Sequence, residues 1–143
     1  MRHRRFEPLL YTLAALIALI GLGDAIYLTV QHLTGQNVDC IASAGCGTVL
    51  ASSYAAIGRV PLAGLGAAAY FAVFSFATLA AFGHTSARPL FLLLVATMLG
   101  VTCWLLYLQA FVLHAFCDFC LLSAALTTML SAIGTVLFFA GKR

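Results

Sequence analysis

Cysteine dominates the reactive side chains of this sequence, and four of its five cysteines fall into two pairs. Cys117 and Cys120 frame a Cys-Asp-Phe-Cys motif, Cys40 and Cys46 lie in a polar connecting stretch, and Cys103 stands alone inside an apolar run. A Cys-x-x-Cys that opens a helix has a physical use. The unpaired N–H groups and the helix dipole favour a thiolate, and the thiolate is the species that attacks a disulfide. A second pair on the same face makes a relay plausible, in which one pair hands electrons to the other by exchange. Cys40 and Cys46 also fit a plain loop staple. A four-cysteine zinc site is a further alternative, disfavoured by the five residues between Cys40 and Cys46 where zinc sites use two to four. Cys103 reads as a small packing residue at a helix interface.

Few other polar groups invite a role. Asp24 stands within an apolar run, where a carboxylate costs several kcal/mol and is functional by default. It fits either a proton relay or a structural contact with neighbouring loop or helix groups. His114 is close enough to Cys117 to stabilise a thiolate, but fits an ordinary interfacial histidine better, and Asp118 would oppose the thiolate slightly. Phe111, Phe116 and Phe119 are candidates to line an apolar ligand pocket or to face lipid. Trp104 is too deep for an interfacial anchor and is expected in the bundle core. Gly64 and Gly66 read as close-packing positions.

The elements that carry these residues follow from composition. The chain is 64% hydrophobic and only 8% charged, far from a soluble domain. Four apolar runs, at about 8–33, 62–83, 89–113 and 118–140, each reach the roughly 20 residues that a helix needs to cross a bilayer. Lipid obliges the backbone to satisfy itself, so these are helices, and the alternation of a membrane β-barrel is absent. Arg2, His3, Arg4 and Arg5 resemble the start of a signal peptide, but the apolar run continues past Gly23 without a clean cleavage site, so it reads as a retained helix. Six of the seven basic residues fall on one side of the four-helix arrangement, and only Arg59 falls on the other. The positive-inside rule then places both termini in the cytoplasm and the loop at about 34–61, with all four paired cysteines, outside. That is where disulfides persist. The net charge of +3 reflects this topology and gives no reason to invoke nucleic acid.

The residues around the cysteines resemble a known family. Asp39-Cys40, then Cys46-Gly-Thr-Val-Leu-Ala-Ser52-Ser-Tyr54, then Gly58-Arg-Val-Pro61-Leu-Ala-Gly64 and Tyr70 lead to Tyr107-Leu-Gln-Ala-Phe-Val-Leu-His-Ala-Phe-Cys117-Asp-Phe-Cys120. Together with Gly23-Asp24 and Tyr27-Leu28-Thr29, the pattern is similar to the bacterial form of the vitamin K epoxide reductase family. The resemblance implies an all-α membrane protein, a four-transmembrane-helix bundle around a quinone, with an outer loop containing a short helix that caps the bundle. It implies that Cys40 forms a mixed disulfide with a thioredoxin-like partner and that Cys46 passes electrons to Cys117. Cys120 would face the quinone and form the transient sulfur–quinone adduct, and Ser52 would help to hold the loop. The cofactor would be ubiquinone or menaquinone, with vitamin K as the animal-type alternative, and the setting a bacterial inner membrane. At 143 residues the chain is read as a single domain without a fused thioredoxin-like domain, so the partner is expected as a separate secreted protein. The animal enzymes place a tyrosine where this chain has Ala124, so that polar contact to the quinone does not carry over.

Three competing readings remain at the level of sequence, one of them the reduction of vitamin K epoxide itself, the animal-type activity. Another quinone-linked four-helix oxidase type carries its Cys-x-x-Cys in the first outer loop, and the order here is reversed. A small four-helix transporter with a stapled loop would use Asp24 as its membrane acid but has no need of two cysteine pairs.

Overall fold

The computed structural model describes residues 2–36, 40–41 and 45–143. Asp39 of the family-like motif and the side chains of Arg2, His3 and Arg4 lie outside the described residues. Helix α1 spans Arg2–Thr34, α3 spans Leu62–Ala81, α4 spans Ala87–Tyr107 and α5 spans Asp118–Lys142, with the short α2 at Cys46–Ala51 between α1 and α3. The four long helices pack in a ring, α1 against α3, α3 against α4, α4 against α5 and α5 back against α1. All four are long and apolar enough to cross a membrane.

The polarity of the packing is that of a lipid-solvated protein. Large apolar residues such as Leu9, Leu13, Leu16 and Ile20 on α1, or Leu93 on α4 and Met129 on α5, point outwards. The buried seam is built from small residues. Ala14, Ala18 and Ala25 of α1 meet Val73, Ala77 and Ala80 of α3 at helical spacing, which lets the two backbones approach closely. Phe91 of α4 fills the centre and meets Tyr11 edge to face, ring centroids 5.4 Å apart. Trp104 differs from the expectation. It is 53% exposed on the outer face of α4, against Tyr54 of the loop, because the core interior is already closed by smaller side chains.

Each connection has a local cause. Gly83, in the left-handed conformation at φ 96°, ends α3, while His84 N–H donates to Leu79 O at 3.0 Å to satisfy the last turn. The loop over the other end holds α2, a 3-10 turn at Ser53–Ala55 and a two-stranded antiparallel hairpin, β1 Ala56–Ile57 and β2 Val60–Pro61, with Ala56 opposite Pro61. Gly58 supplies the left-handed residue of its turn. The apolar run at 89–113 is not one regular helix: α4 gives way to a π-helical turn at Leu108–Val112. Such a turn inserts a residue and rotates the chain beyond it. At the end away from the cysteines, Arg88 of α4 and Glu7 of α1 form an ion pair at 3.1 Å.

Candidate functional site

The capping loop brings the cysteine pairs together. Cys46 is the first residue of α2, and Cys117 is the residue before α5. Between them Gly45 lies flat against the backbone of Phe116. A Cβ at Gly45 would overlap the Phe116 carbonyl oxygen and come within 2.7 Å of its nitrogen. Only glycine therefore lets the two cysteine-bearing segments touch. The sulfurs of Cys40, Cys46 and Cys117 all lie within 4.8 Å of one another. Cys40 and Cys46 form a disulfide with Cα atoms 5.6 Å apart, while Cys117 and Cys120 are free thiols. Cys46 and Cys117 are buried together with Leu28 and Val49, and Cys40, Leu113, Phe119 and Cys120 pack around them. With Cys40 and Cys46 joined, only Cys117 of this trio has a thiolate to offer, which suits exchange rather than a closed metal shell.

Cys117 is primed for that exchange. The Cys120 thiol hydrogen-bonds its sulfur, and the backbone N–H groups of Cys120 and Phe119 add to this at the helix N-terminus. These contacts outweigh burial and the nearby Asp24 charge and pull the Cys117 thiol down to about 7. Its own N–H donates to Oε1 of Gln109 at 3.2 Å, which fixes the residue at the mouth of α5.

Below Cys120 is a partly open cavity of about 150 Å³. Leu28, Val49, Ala63, Leu105, Leu108 and Ala124 supply much of its apolar wall, and Asp24, Ser52, Tyr70, Gln109, Cys120 and Ser123 supply polar groups. A volume of that order accommodates a six-membered ring, so a flat ring carrying a few polar atoms fits against the Cys120 sulfur. Ser52 ends α2, its hydroxyl donating to Val49 O at 2.7 Å, and lines the cavity. Both carboxylate oxygens of Asp24 are buried and find no hydrogen-bond partner among the described residues. The Tyr70 hydroxyl donates to Ser123 O at 3.0 Å and lies 3.1 Å from the Thr127 hydroxyl, tying α3 to α5.

The three phenylalanines named from sequence are not on the cavity wall. Phe111 lies in the π turn and is 67% exposed, its ring against Tyr107. Phe119 packs on Tyr27 of α1 with centroids 5.2 Å apart, and Phe116 is an exposed residue whose backbone abuts Gly45. The inserted residue of the π turn rotates this stretch, so Gln109 faces inwards and Phe111 outwards. His114 is exposed in the loop between α4 and α5, at φ 49°. The sequence assigns no role to Gln109 or to the Tyr70–Ser123–Thr127 cluster, although Gln109 and Tyr70 stand in the family-like pattern. Its one available signal was an amide inside an apolar run, which demands a partner in lipid.

The model of the vitamin K epoxide reductase family matches residues 12–135, most of the chain and all four cysteines of the site. A comparison with curated proteins finds no match. The family match and the disulfide set against a free thiol together support thiol–disulfide redox activity in a multi-pass membrane protein.

Proposed function

The chain belongs to the vitamin K epoxide reductase family, and on that premise we propose that it is a quinone-dependent disulfide oxidoreductase that generates disulfides outside the cytoplasm. The observation that carries this reading is continuity. A partly buried disulfide, Cys40–Cys46, touches a buried thiol, Cys117, whose partner Cys120 opens on an apolar cavity. Electrons enter from a secreted thioredoxin-like dithiol. Cys40, the less buried of its pair, is attacked and forms the mixed disulfide, and Cys46 leaves as a thiolate. The substrate's second thiol resolves the mixed disulfide and releases Cys40. Cys46 attacks Cys117 of an oxidised Cys117–Cys120 pair, and Cys120 leaves as a thiolate. Cys40 then closes on Cys46 and releases Cys117. The low affinity of Cys117 for its proton makes it a competent attacking thiolate in the return direction and in closing on Cys120. A quinone bound in the cavity, ubiquinone or menaquinone, takes the two electrons and two protons given up as the Cys117 and Cys120 thiols close to a disulfide.

The test uses the purified protein in lipid with a reduced thioredoxin-like substrate and a soluble quinone. Stoichiometric quinol and oxidised substrate are expected. Supplied with the same substrate in its disulfide form, Cys46→Ser should accumulate a mixed disulfide, visible on non-reducing gels: the free Cys40 thiolate displaces one substrate thiolate, and no Cys46 thiol remains to resolve the bond. Trapping through Cys46 in Cys40→Ser, with none in Cys46→Ser, would reverse the two roles. If oxidation persists when Cys117 and Cys120 are each replaced by alanine, the oxidase reading fails.

A further inference from the structure

Gln109 is 96% buried, since only 4% of it is exposed, and it sits in the π turn that ends α4. Two of its groups are already used on the dithiol segment. Its Oε1 accepts the Cys117 N–H at 3.2 Å, and its backbone carbonyl accepts the Ala115 N–H at 3.1 Å. The first bond fixes the direction of the amide. An N–H can only be met by the amide oxygen, so the Nε2 group, with two donor hydrogens and no acceptor capacity, is the other end. The side chain also lines the cavity beneath Cys120.

The other polar groups of that wall are less suited to grip a carbonyl oxygen there. The Tyr70 hydroxyl donates to the Ser123 carbonyl, and the Ser52 hydroxyl donates to the Val49 carbonyl. Asp24 belongs to α1, away from the dithiol segment in sequence, and only accepts when it is ionised. His32 and Tyr54 belong to the last turn of α1 and to the capping loop, and Thr102 lies two helical turns before Gln109 on α4. Gln109 alone among them is hydrogen-bonded to the Cys117 backbone.

We propose that Gln109 joins the dithiol to its electron acceptor: Oε1 positions Cys117, and Nε2 donates a hydrogen bond to a carbonyl oxygen of the quinone held against Cys120. It is the polar contact that Ala124 cannot supply. A donor at that oxygen strengthens as negative charge develops on it, so the same bond that orients the ring assists its reduction. This inference rests on the quinone reading, and its test separates the two.

The experiment uses the full chain in nanodiscs, with menadione as the probe. Menadione binding is read with Cys117–Cys120 oxidised, so that no reaction ensues, from quenching of the only tryptophan, Trp104, which sits against Tyr54 of the cavity wall. Separately, the rate at which dithiothreitol reduces Cys117–Cys120 is measured without quinone. Gln109→Leu removes both functions, whereas Gln109→Glu, assayed at a pH high enough to ionise its buried carboxyl, keeps an oxygen for the Cys117 N–H and loses the donor. Both variants should weaken menadione binding about tenfold, the worth of one good hydrogen bond. Only Gln109→Leu should also slow reduction by dithiothreitol. Unchanged menadione affinity in Gln109→Leu overturns the proposal, and so does an equal slowing of dithiothreitol reduction in both variants. Leucine is readily buried, so the binding test stands even where a buried glutamate prevents folding. If the wild-type protein itself neither binds nor reduces menadione, the quinone reading has failed, whatever the variants do.

Discussion

Cys117 lies between two sulfurs, and its protonation is set by neighbours that can be removed one at a time. The Cys120 thiol and two backbone N–H groups stabilise its thiolate, while burial and the Asp24 charge oppose it, with a balance at about 7. In the reduced protein its reaction with a small thiol reagent should rise through pH 7, where an ordinary cysteine still reacts slowly. Cys120→Ala removes the largest stabilising contact and should move that midpoint up. Asp24→Asn removes a nearby negative charge and should move it down. The two shifts have opposite signs, and a midpoint that ignores both substitutions would mean that Cys117 is not held in this environment. Gly45 makes a second demand at this scale. In Gly45→Ala the new methyl group meets the Phe116 backbone and lifts the loop from the segment that carries Cys117. Displacement of about 1 Å between reacting groups costs up to roughly a hundredfold in rate. Transfer from Cys46 to Cys117, followed by rapid acid quench and thiol counting, should slow about tenfold or more, while dithiothreitol still opens Cys40–Cys46 at its usual rate. Equal transfer rates in the two proteins would show that the close approach at Gly45 is not needed for exchange.

At the scale of elements, the four long helices were legible because run length alone decides in lipid: about 20 apolar residues must be a helix, whatever their order. The two cysteine pairs were legible for the same kind of reason, since helix α5 begins where the apolar run does. What escaped depends on phase. A π turn leaves no mark in hydropathy, yet its extra residue carries Gln109 into the cavity and turns Phe111 out to the lipid face. Trp104 was misplaced because depth along a helix says nothing about which face of it a side chain occupies. Tyr70 enters the family-like pattern without a role, because its partners Ser123 and Thr127 lie more than 50 positions away on α5. That residue links three helices, since its ring also packs on Gly21 of α1, where a Cβ would overlap it. Gly21→Ala should therefore force the ring from its seat and break the bond to α5. Overpacking of this kind costs about 1–3 kcal/mol, to be read as a lower midpoint of unfolding in mild detergent. Tyr70→Phe keeps the packing and loses only the hydroxyl, so it should cost less than Gly21→Ala. The reverse order would show that hydrogen bonding, rather than close helix approach, holds α1, α3 and α5 together here.

The molecule as a whole is asymmetric along the bundle axis, and the asymmetry bears on where its chemistry takes place. One end carries the capping loop, the disulfide and the thiols; the other carries Arg5, the Glu7–Arg88 ion pair and Lys142 with Arg143. Basic residues near helix ends resist translocation, so the end that holds them should remain in the cytoplasm, and the cysteine end should face the compartment in which a disulfide persists. The two arguments are independent, one electrostatic and one redox, and they name the same orientation. A membrane-impermeant maleimide applied to intact cells measures it. With Cys103 replaced by serine to silence the lipid-facing thiol, Cys40 should label from outside once a mild reductant has opened Cys40–Cys46. A cysteine introduced by Ser86→Cys, in the turn between α3 and α4, should label only after the cells are permeabilised. Labelling of the Ser86→Cys position in intact cells, with Cys40 protected, would invert the topology. The disulfide would then face the reducing cytoplasm, where the proposed oxidase could not deliver disulfides to secreted proteins.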